Sequence, residues 1–217
     1  IFNKKPAINF YGKSILTTTD ININRGEPYY VFIAGQFKDM DKRAVLVDTL
    51  GVDFQQEFDR LLIERLDTNN IKVSTQTRRP DGILEETGSI KSKGDDIVDG
   101  GIKESYQSAS SSPDTIRVEE FIITVLIDGD NSYLDINGRS VMIEGSLGLN
   151  QVEAFSIGSV MNEMEATING FIAENVVIRG FIPDSEIFRT QGYLAHKWGF
   201  VDLLPEDHTY KEKRPVV

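Results

Sequence analysis

The sequence predicts an all-β protein, a sandwich of two antiparallel sheets with one helix near the C-terminus. Three observations carry this. About ten apolar runs of strand length are separated by turn residues. Asn137-Gly138 stands between two such runs, and Asn-Gly is the strongest short hairpin signal because both turn positions take positive φ. One stretch alone has helical period: from about Asp184 to Trp198, residues Ile187, Gln191, Leu194 and Trp198 recur at i, i+4, i+7 and i+11.

Taken in order, residues 1–27 are mixed, with an edge strand at 7–10 and polar turns around Thr17, Thr18, Thr19 and Asp20. Residues 29–37 are continuously apolar and aromatic, as a strand buried on both faces is. A strand at 44–47 follows. Runs at 60–66 and 71–77 flank Asp67-Thr68-Asn69-Asn70 and read as a hairpin; the first arm also fits a short helix, and its β-rich neighbours favour strand. Residues 78–115 change character, punctuated by Pro80, Gly82, Gly100-Gly101 and Pro113. They read as a polar insertion inside a single domain spanning 1–217, because the strand pattern then resumes in kind. Residues 118–127 form the strongest strand. Runs at 132–136, 139–143, 154–158 and 168–178 complete the set. In the helix, Asp184 and Glu186 fall in the first turn, Lys197 in the last, and Gly199 stands where a left-handed terminating residue is wanted.

A chain of 217 residues, 40% of them hydrophobic, buries roughly 70% of its unfolded surface. No run approaches the ~18 apolar residues of a membrane helix, so membrane insertion is not expected. The first residues, Ile1-Phe2-Asn3-Lys4-Lys5-Pro6, have neither an initiator Met nor the apolar core of a signal peptide, which points to a processed chain or an ordered part of a longer one. With 34 acidic against 23 basic residues the net charge is −11, which argues against nucleic acid or an anionic membrane as partner. Neutral glycans, proteins and cations are left. The absence of cysteine removes disulfide and thiolate chemistry, and fits a cytosolically assembled particle as well as a secreted bacterial protein.

Several pieces then line up in one order. They are the hairpin between Ile127 and Ile143, Phe155-Ser156-Ile157-Gly158, the strand at 168–178, Gly192-Tyr193-Leu194-Ala195-His196-Lys197-Trp198-Gly199, and the Leu204-Pro205-x-x-His208 tail. Together they resemble a laminin G-like domain of the concanavalin A-like lectin/glucanase superfamily, in the variant found in phage virion and bacterial surface proteins. The likeness is close over 118–215 and holds in outline over 1–77. Thr209 stands where the tail motif has proline, and the polar insertion is longer than such domains carry. The resemblance implies a jelly-roll-like sandwich. It also assigns Gly192, Tyr193, His196, Trp198, Gly199, Pro205 and His208 to the structural tail. It implies no particular activity, since one fold hosts many.

Glycan cleavage by the glucanase branch uses paired carboxylates about 5–5.5 Å apart in a retaining enzyme. The nearest candidates, Glu57 with Asp59 or Asp128, Asp130 and Asp135, lack the three-acid alternation of that branch, so no catalytic residue is assigned. Asp128, Asp130, Asn131 and Asp135 could share a calcium ion, with Asp95, Asp96 and Asp99 a weaker set. A solvated acidic turn is the simpler reading. His196 and His208 find no third ligand at zinc spacing. Tyr193 and Trp198 fall on a packed helix stripe; Tyr11, Tyr106 and Tyr133, in edge or loop contexts, are freer to stack on a ligand. Tyr106, Tyr133, Asp128, Asp130 and Asn131 are therefore the expected ligand contacts. The expected function is a non-enzymatic structural or adhesive module of a phage particle: tail fibre, receptor-binding or capsid-decoration protein. Its partners are other virion proteins and host-surface glycan, in an oligomeric assembly. The alternative is a carbohydrate-binding module of a bacterial surface or secreted protein, with a glycoside hydrolase third.

Overall fold

The computed structural model describes residues 4–12, 15–18, 21–38, 42–49, 59–67, 70–78, 84–92, 120–139, 141–148, 151–160 and 166–216. Two six-stranded antiparallel sheets pack face to face. The first runs β1 (Ile8–Tyr11), β12 (Asn169–Arg179), β3 (Tyr29–Phe37), β8 (Glu120–Ile127), β9 (Ser132–Ile136), β10 (Val141–Gly145). The second runs β2 (Leu16–Thr18), β11 (Phe155–Ile157), β4 (Ala44–Asp48), β5 (Asp59–Asp67), β6 (Asn70–Arg78), β7 (Leu84–Lys91). Alternate residues of both sheets point inward, and Phe10, Val31, Ile33, Phe121, Ile123, Leu61, Ile63, Val73 and Phe155 fill the space between them.

The helix α1 (Asp184–Trp198) lies on the outer face of the first sheet. There Ile187, Leu194, Ala195 and Trp198 pack on Tyr30, Phe32, Ala34, Ile122 and Leu126. With the sandwich core on one side and the helix on the other, residues 29–34 of β3 and 121–127 of β8 are buried on both faces, which is why both strands read as nearly continuous apolar runs. The helix ends on Gly199 at φ 85°, as expected.

A buried relay fixes where the helix sits. The Tyr210 N–H donates to His208 Nδ1 at 3.2 Å, so the other ring nitrogen carries the proton and donates to Gln191 Oε1 at 3.4 Å. Gln191 Nε2 then donates to Asp135 Oδ2 at 2.8 Å and Thr124 Oγ1 at 3.0 Å. Asp135 Oδ1 accepts the Arg139 N–H at 2.6 Å. Two backbone donors thus converge from opposite ends, and the ionised carboxylate, which only accepts, receives the chain from one side and Arg139 from the other. The relay ties tail, helix and the β8–β9 pair, where Thr124 lies directly opposite Asp135. His196 anchors the tail separately, donating to the Tyr210 carbonyl at 2.8 Å.

Three local expectations are corrected. The hairpin after β9 is not a two-residue turn: Asn137, Gly138 and Arg139 all take positive φ, and pairing resumes at Val141 opposite Ile136. A Cβ on Gly138 would lie 2.8 Å from Leu204 Cδ2, so this turn is shaped to receive the tail. Leu16–Thr18, expected as part of a turn, is a three-residue edge strand with every side chain exposed, which leaves no apolar alternation to read. Part of the expected polar insertion is β7, an edge strand in which Ile90 is the one buried apolar residue among the described side chains, so its sequence reads as loop. Residues 79–83 and 93–115 of that insertion lie outside the described residues.

Gly192 is where the tail presses on the helix: a Cβ there would stand 2.4 Å from Tyr210 Cβ. Helix propensity alone favours Gly192→Ala by about 0.5–1 kcal/mol. The clash reverses the sign, and we expect a loss of about 1–3 kcal/mol in urea unfolding, because Tyr210 must shift and with it His208.

The relay also predicts a pH dependence. Burial pushes His208 down to about 4 from 6.5. Between those values the unfolded chain binds the extra proton, so this contribution is complete above about pH 6.5 and is lost on acidification toward pH 4. Asp135 acts oppositely. Burial outweighs its hydrogen bonds and raises it to about 6 from 3.8, so over that range the folded state holds the extra proton and acid favours folding. The wild type partly hides both effects. The unfolding free-energy difference between wild type and His208→Gln is expected to shrink from about pH 6.5 to about pH 4 and to stay flat above. A difference independent of pH contradicts the neutral, buried imidazole.

Candidate functional site

Beyond Trp198 the helix stops, and the outer face of the first sheet continues with no other described element packed on it. In register, Asn9 faces Phe171, Phe171 faces Gln36, and Tyr11 faces Asn169. The Lys38 N–H bonds the Asn169 carbonyl, which extends the row by one more residue of the β3 chain. Their neighbours Phe10, Phe37 and Ile172 point into the sandwich, so Asn9, Tyr11, Gln36, Lys38 and Phe171 point out. Lys38 Nζ lies 4.2 Å from the centre of the Phe171 ring and 5.6 Å from that of Tyr11, and donates to Asn9 Oδ1 at 3.1 Å. Tyr11 is 74% exposed, an aromatic ring on a strand edge with no core contact to explain it.

Toward the helix, this strip runs into a groove of about 430 Å³ lined by Lys5, Pro6, Ala173, Glu174, Lys197 and Trp198. A β-bulge between Ile172 and Glu174 turns both Ala173 and Glu174 outward. Glu174 accepts from Trp198 Nε1 at 2.8 Å, from Tyr193 Oη at 3.3 Å, and pairs with Lys197 at 2.8 Å. Lys197 also donates to Tyr193 Oη at 2.6 Å. Burial opposes the Lys197 ammonium, but the bonds to Glu174 and Tyr193 outweigh it and its pKa is raised. The groove wall is therefore a fixed carboxylate, a held ammonium and the edge of an indole.

The second sheet's outer face is different in kind. Asp48 bonds Arg60 at 2.6 Å, Glu64 bonds Arg43 at 2.5 Å, and Asp48, Arg60 and Glu64 are buried. Both carboxylates are already held by guanidinium partners, leaving Lys72–Glu86 as a more exposed pair.

The expected site residues separate. Tyr106, Glu57, Asp95, Asp96 and Asp99, and the side chain of Asp59, lie outside the described residues. Tyr133 is 7% exposed, its hydroxyl enclosed with no hydrogen-bond partner among the described residues, so it is core and not a stacking platform. Burial raises its pKa above the usual tyrosine range. Asp128 and Asn131 bond each other at 2.9 Å around the one-turn 3-10 helix Gly129–Asn131, with Asp130 exposed. Asp135 is enclosed under the helix, so the four expected calcium donors do not converge. Among the described residues no group of three or more His, Cys, Asp or Glu is placed to hold a metal. Tyr11 is where an edge aromatic was expected. Trp198 is packed, as its stripe predicts, and Tyr193 is half-buried. Lys38, Phe171, Asn9, Lys5 and Glu174 were missed. Parity held the signal for one: counting by twos from the buried Tyr30 places Lys38 on the outer face.

No protein-family profile matches the chain, and no curated protein matches it by sequence. Solved structures do match. The NanB sialidase from Streptococcus pneumoniae is 15% identical, with 79% of this chain and 27% of that chain covered and a TM-score of 0.50. A structure described as HCR/D-Sa-GBL1/C is 11% identical over 83% of this chain and 40% of that one, TM-score 0.50. Domains LG4-5 of the mouse laminin alpha1 chain are 11% identical over 79% and 40%, TM-score 0.46. The chain thus spans well under half the length of these matches. The likeness of the two structures at TM-score 0.50 agrees with the two-sheet topology: the fold is a two-sheet antiparallel jelly-roll sandwich.

Proposed function

We propose that this chain is a non-enzymatic glycan-binding module that uses the uncovered strip of the first sheet. The observation that carries the reading is Tyr11, Phe171 and Lys38 on one outward face, next to the groove at Trp198. Aromatic faces with amide and ammonium donors beside them suit a sugar ring, which offers C–H faces and hydroxyl oxygens. The sialidase named among the matches acts on glycans; that motivates the ligand class and nothing finer. No hydrolysis is assigned. Asp135, the carboxyl raised to about 6, is fully buried and out of reach of a substrate.

The finer reading sets this module on a phage particle, in several copies, as a tail-fibre, receptor-binding or capsid-decoration component. It rests on the Gly192–Gly199 octapeptide, the Leu204-Pro205-x-x-His208 tail and the acidic, cysteine-free composition. A carbohydrate-binding module of a bacterial surface or secreted protein fits the same residues. Neighbouring genes separate them: portal, capsid and tail genes for one, secretion and cell-wall genes for the other.

On a glycan array the protein is expected to retain a defined subset of saccharides and to release no reducing sugar from them. Tyr11→Ala is expected to weaken that binding about tenfold, or about 1.4 kcal/mol, with an unchanged melting temperature because the ring touches no core. Retained affinity in Tyr11→Ala places binding elsewhere, and sugar release overturns the non-enzymatic reading.

A further inference from the structure

The formal charge of −11 leaves neutral glycans, proteins and cations as the expected partners, but the strip does not share the chain's average. Lys38, exposed on the outer face, has Asn9 Oδ1 and two ring faces as its contacts, and no carboxylate among the described residues. Lys5 lines the adjoining groove, and no ion pair holds it among the described residues. Lys197 stands on the groove's other wall, and Glu174, the carboxylate beside it, is already engaged by Trp198, Tyr193 and Lys197. On other faces, Arg60 pairs with Asp48, Arg43 with Glu64, Lys72 with Glu86, Arg139 with Asp184 and Arg179 with Glu27.

We infer that the ligand of this strip is an anionic saccharide, one bearing carboxylate groups, held by Lys38 at one end and by Lys5 at the groove. This rests on the glycan-binding reading above. From Phe171 to Glu174 is three residues of strand, about 10 Å, so the two cationic stations are a short oligosaccharide apart rather than one sugar apart. Lys38 carries the selectivity. Its ammonium already lies over Phe171, and the ring gives it a position without neutralising its charge, which leaves that charge for an incoming carboxylate. Tyr11, beside it, offers the stacking face that any sugar uses, charged or neutral.

Calorimetric titration tests this with three saccharide probes of similar length: an oligouronate, its methyl ester (same backbone, no charge), and a sialylated oligosaccharide. Wild type, Lys38→Gln and Tyr11→Ala are each titrated at low and at raised salt. At least one carboxylate-bearing probe is expected to bind about tenfold more tightly than the ester, with the advantage falling between about 0.05 and 0.3 M salt. Lys38→Gln removes most of that advantage while leaving ester binding in place; Tyr11→Ala weakens all probes alike. Which acidic probe binds distinguishes a uronate from a sialic acid as the source of the carboxylate. Equal affinity for acid and ester, insensitivity to salt, or an unchanged preference in Lys38→Gln overturns the inference and leaves glycan binding standing. Failure of every probe, and of a neutral array, overturns both.

Discussion

The structure depends on a directional constraint at Asp135. Two backbone N–H groups that cannot be anything but donors, on Tyr210 and Arg139, point into the same buried space from opposite sides. His208 and Gln191 transmit one of them, and the acceptor-only carboxylate takes both. An amide in place of Asp135 would set an NH₂ against the Gln191 NH₂, and no rotation of Gln191 or change of tautomer in His208 repairs it. Buried donors without acceptors are costly, so the tail, the helix and the β8–β9 pair are held in one arrangement.

That arrangement decides which surface is left over. A helix of 15 residues is about 22 Å long, while the nine residues of β3 and eleven of β12 extend for roughly 30 Å or more. With Gln191 pinned over Thr124 and Asp135, the helix covers Tyr30, Phe32 and Ala34 and stops short of Gln36 and Lys38. The next residues of the same strand face have no helix to pack against, and they are polar or aromatic. The Trp198–Glu174 bond closes the covered part and opens the groove beside it. A chain acidic overall then presents lysines where its sheet is bare, a contrast invisible to a net charge.

The fold was legible because the strong signals coincide with strands that have two buried faces or a helix overhead. Tyr29–Phe37 and Glu120–Ile127 announce themselves by unbroken apolarity, and the helix stripe Ile187, Gln191, Leu194 and Trp198 is the stripe that is buried. The two edge strands of the second sheet were lost for the same reason in reverse: Leu16–Thr18 and Leu84–Lys91 have too little apolar periodicity to differ from loop. Tyr133 and Asp135 were misplaced because their strand follows an acidic turn, which reads as solvent. In the fold they pack beneath α1, some 50 residues later in the chain. The strip was unreadable for a further reason. Its members come from β1, the end of β3 and β12, brought together only by the antiparallel register of three strands distant in sequence.

Mapping a bound saccharide onto the backbone amides by NMR probes the central claim most directly. Shifts concentrated at Asn9, Tyr11, Lys38, Asn169 and Phe171, with Asp135 and Gln191 unmoved, are the predicted result. Shifts confined to the Asp128–Asn131 turn or to β4, β5 and β6 of the second sheet would contradict it.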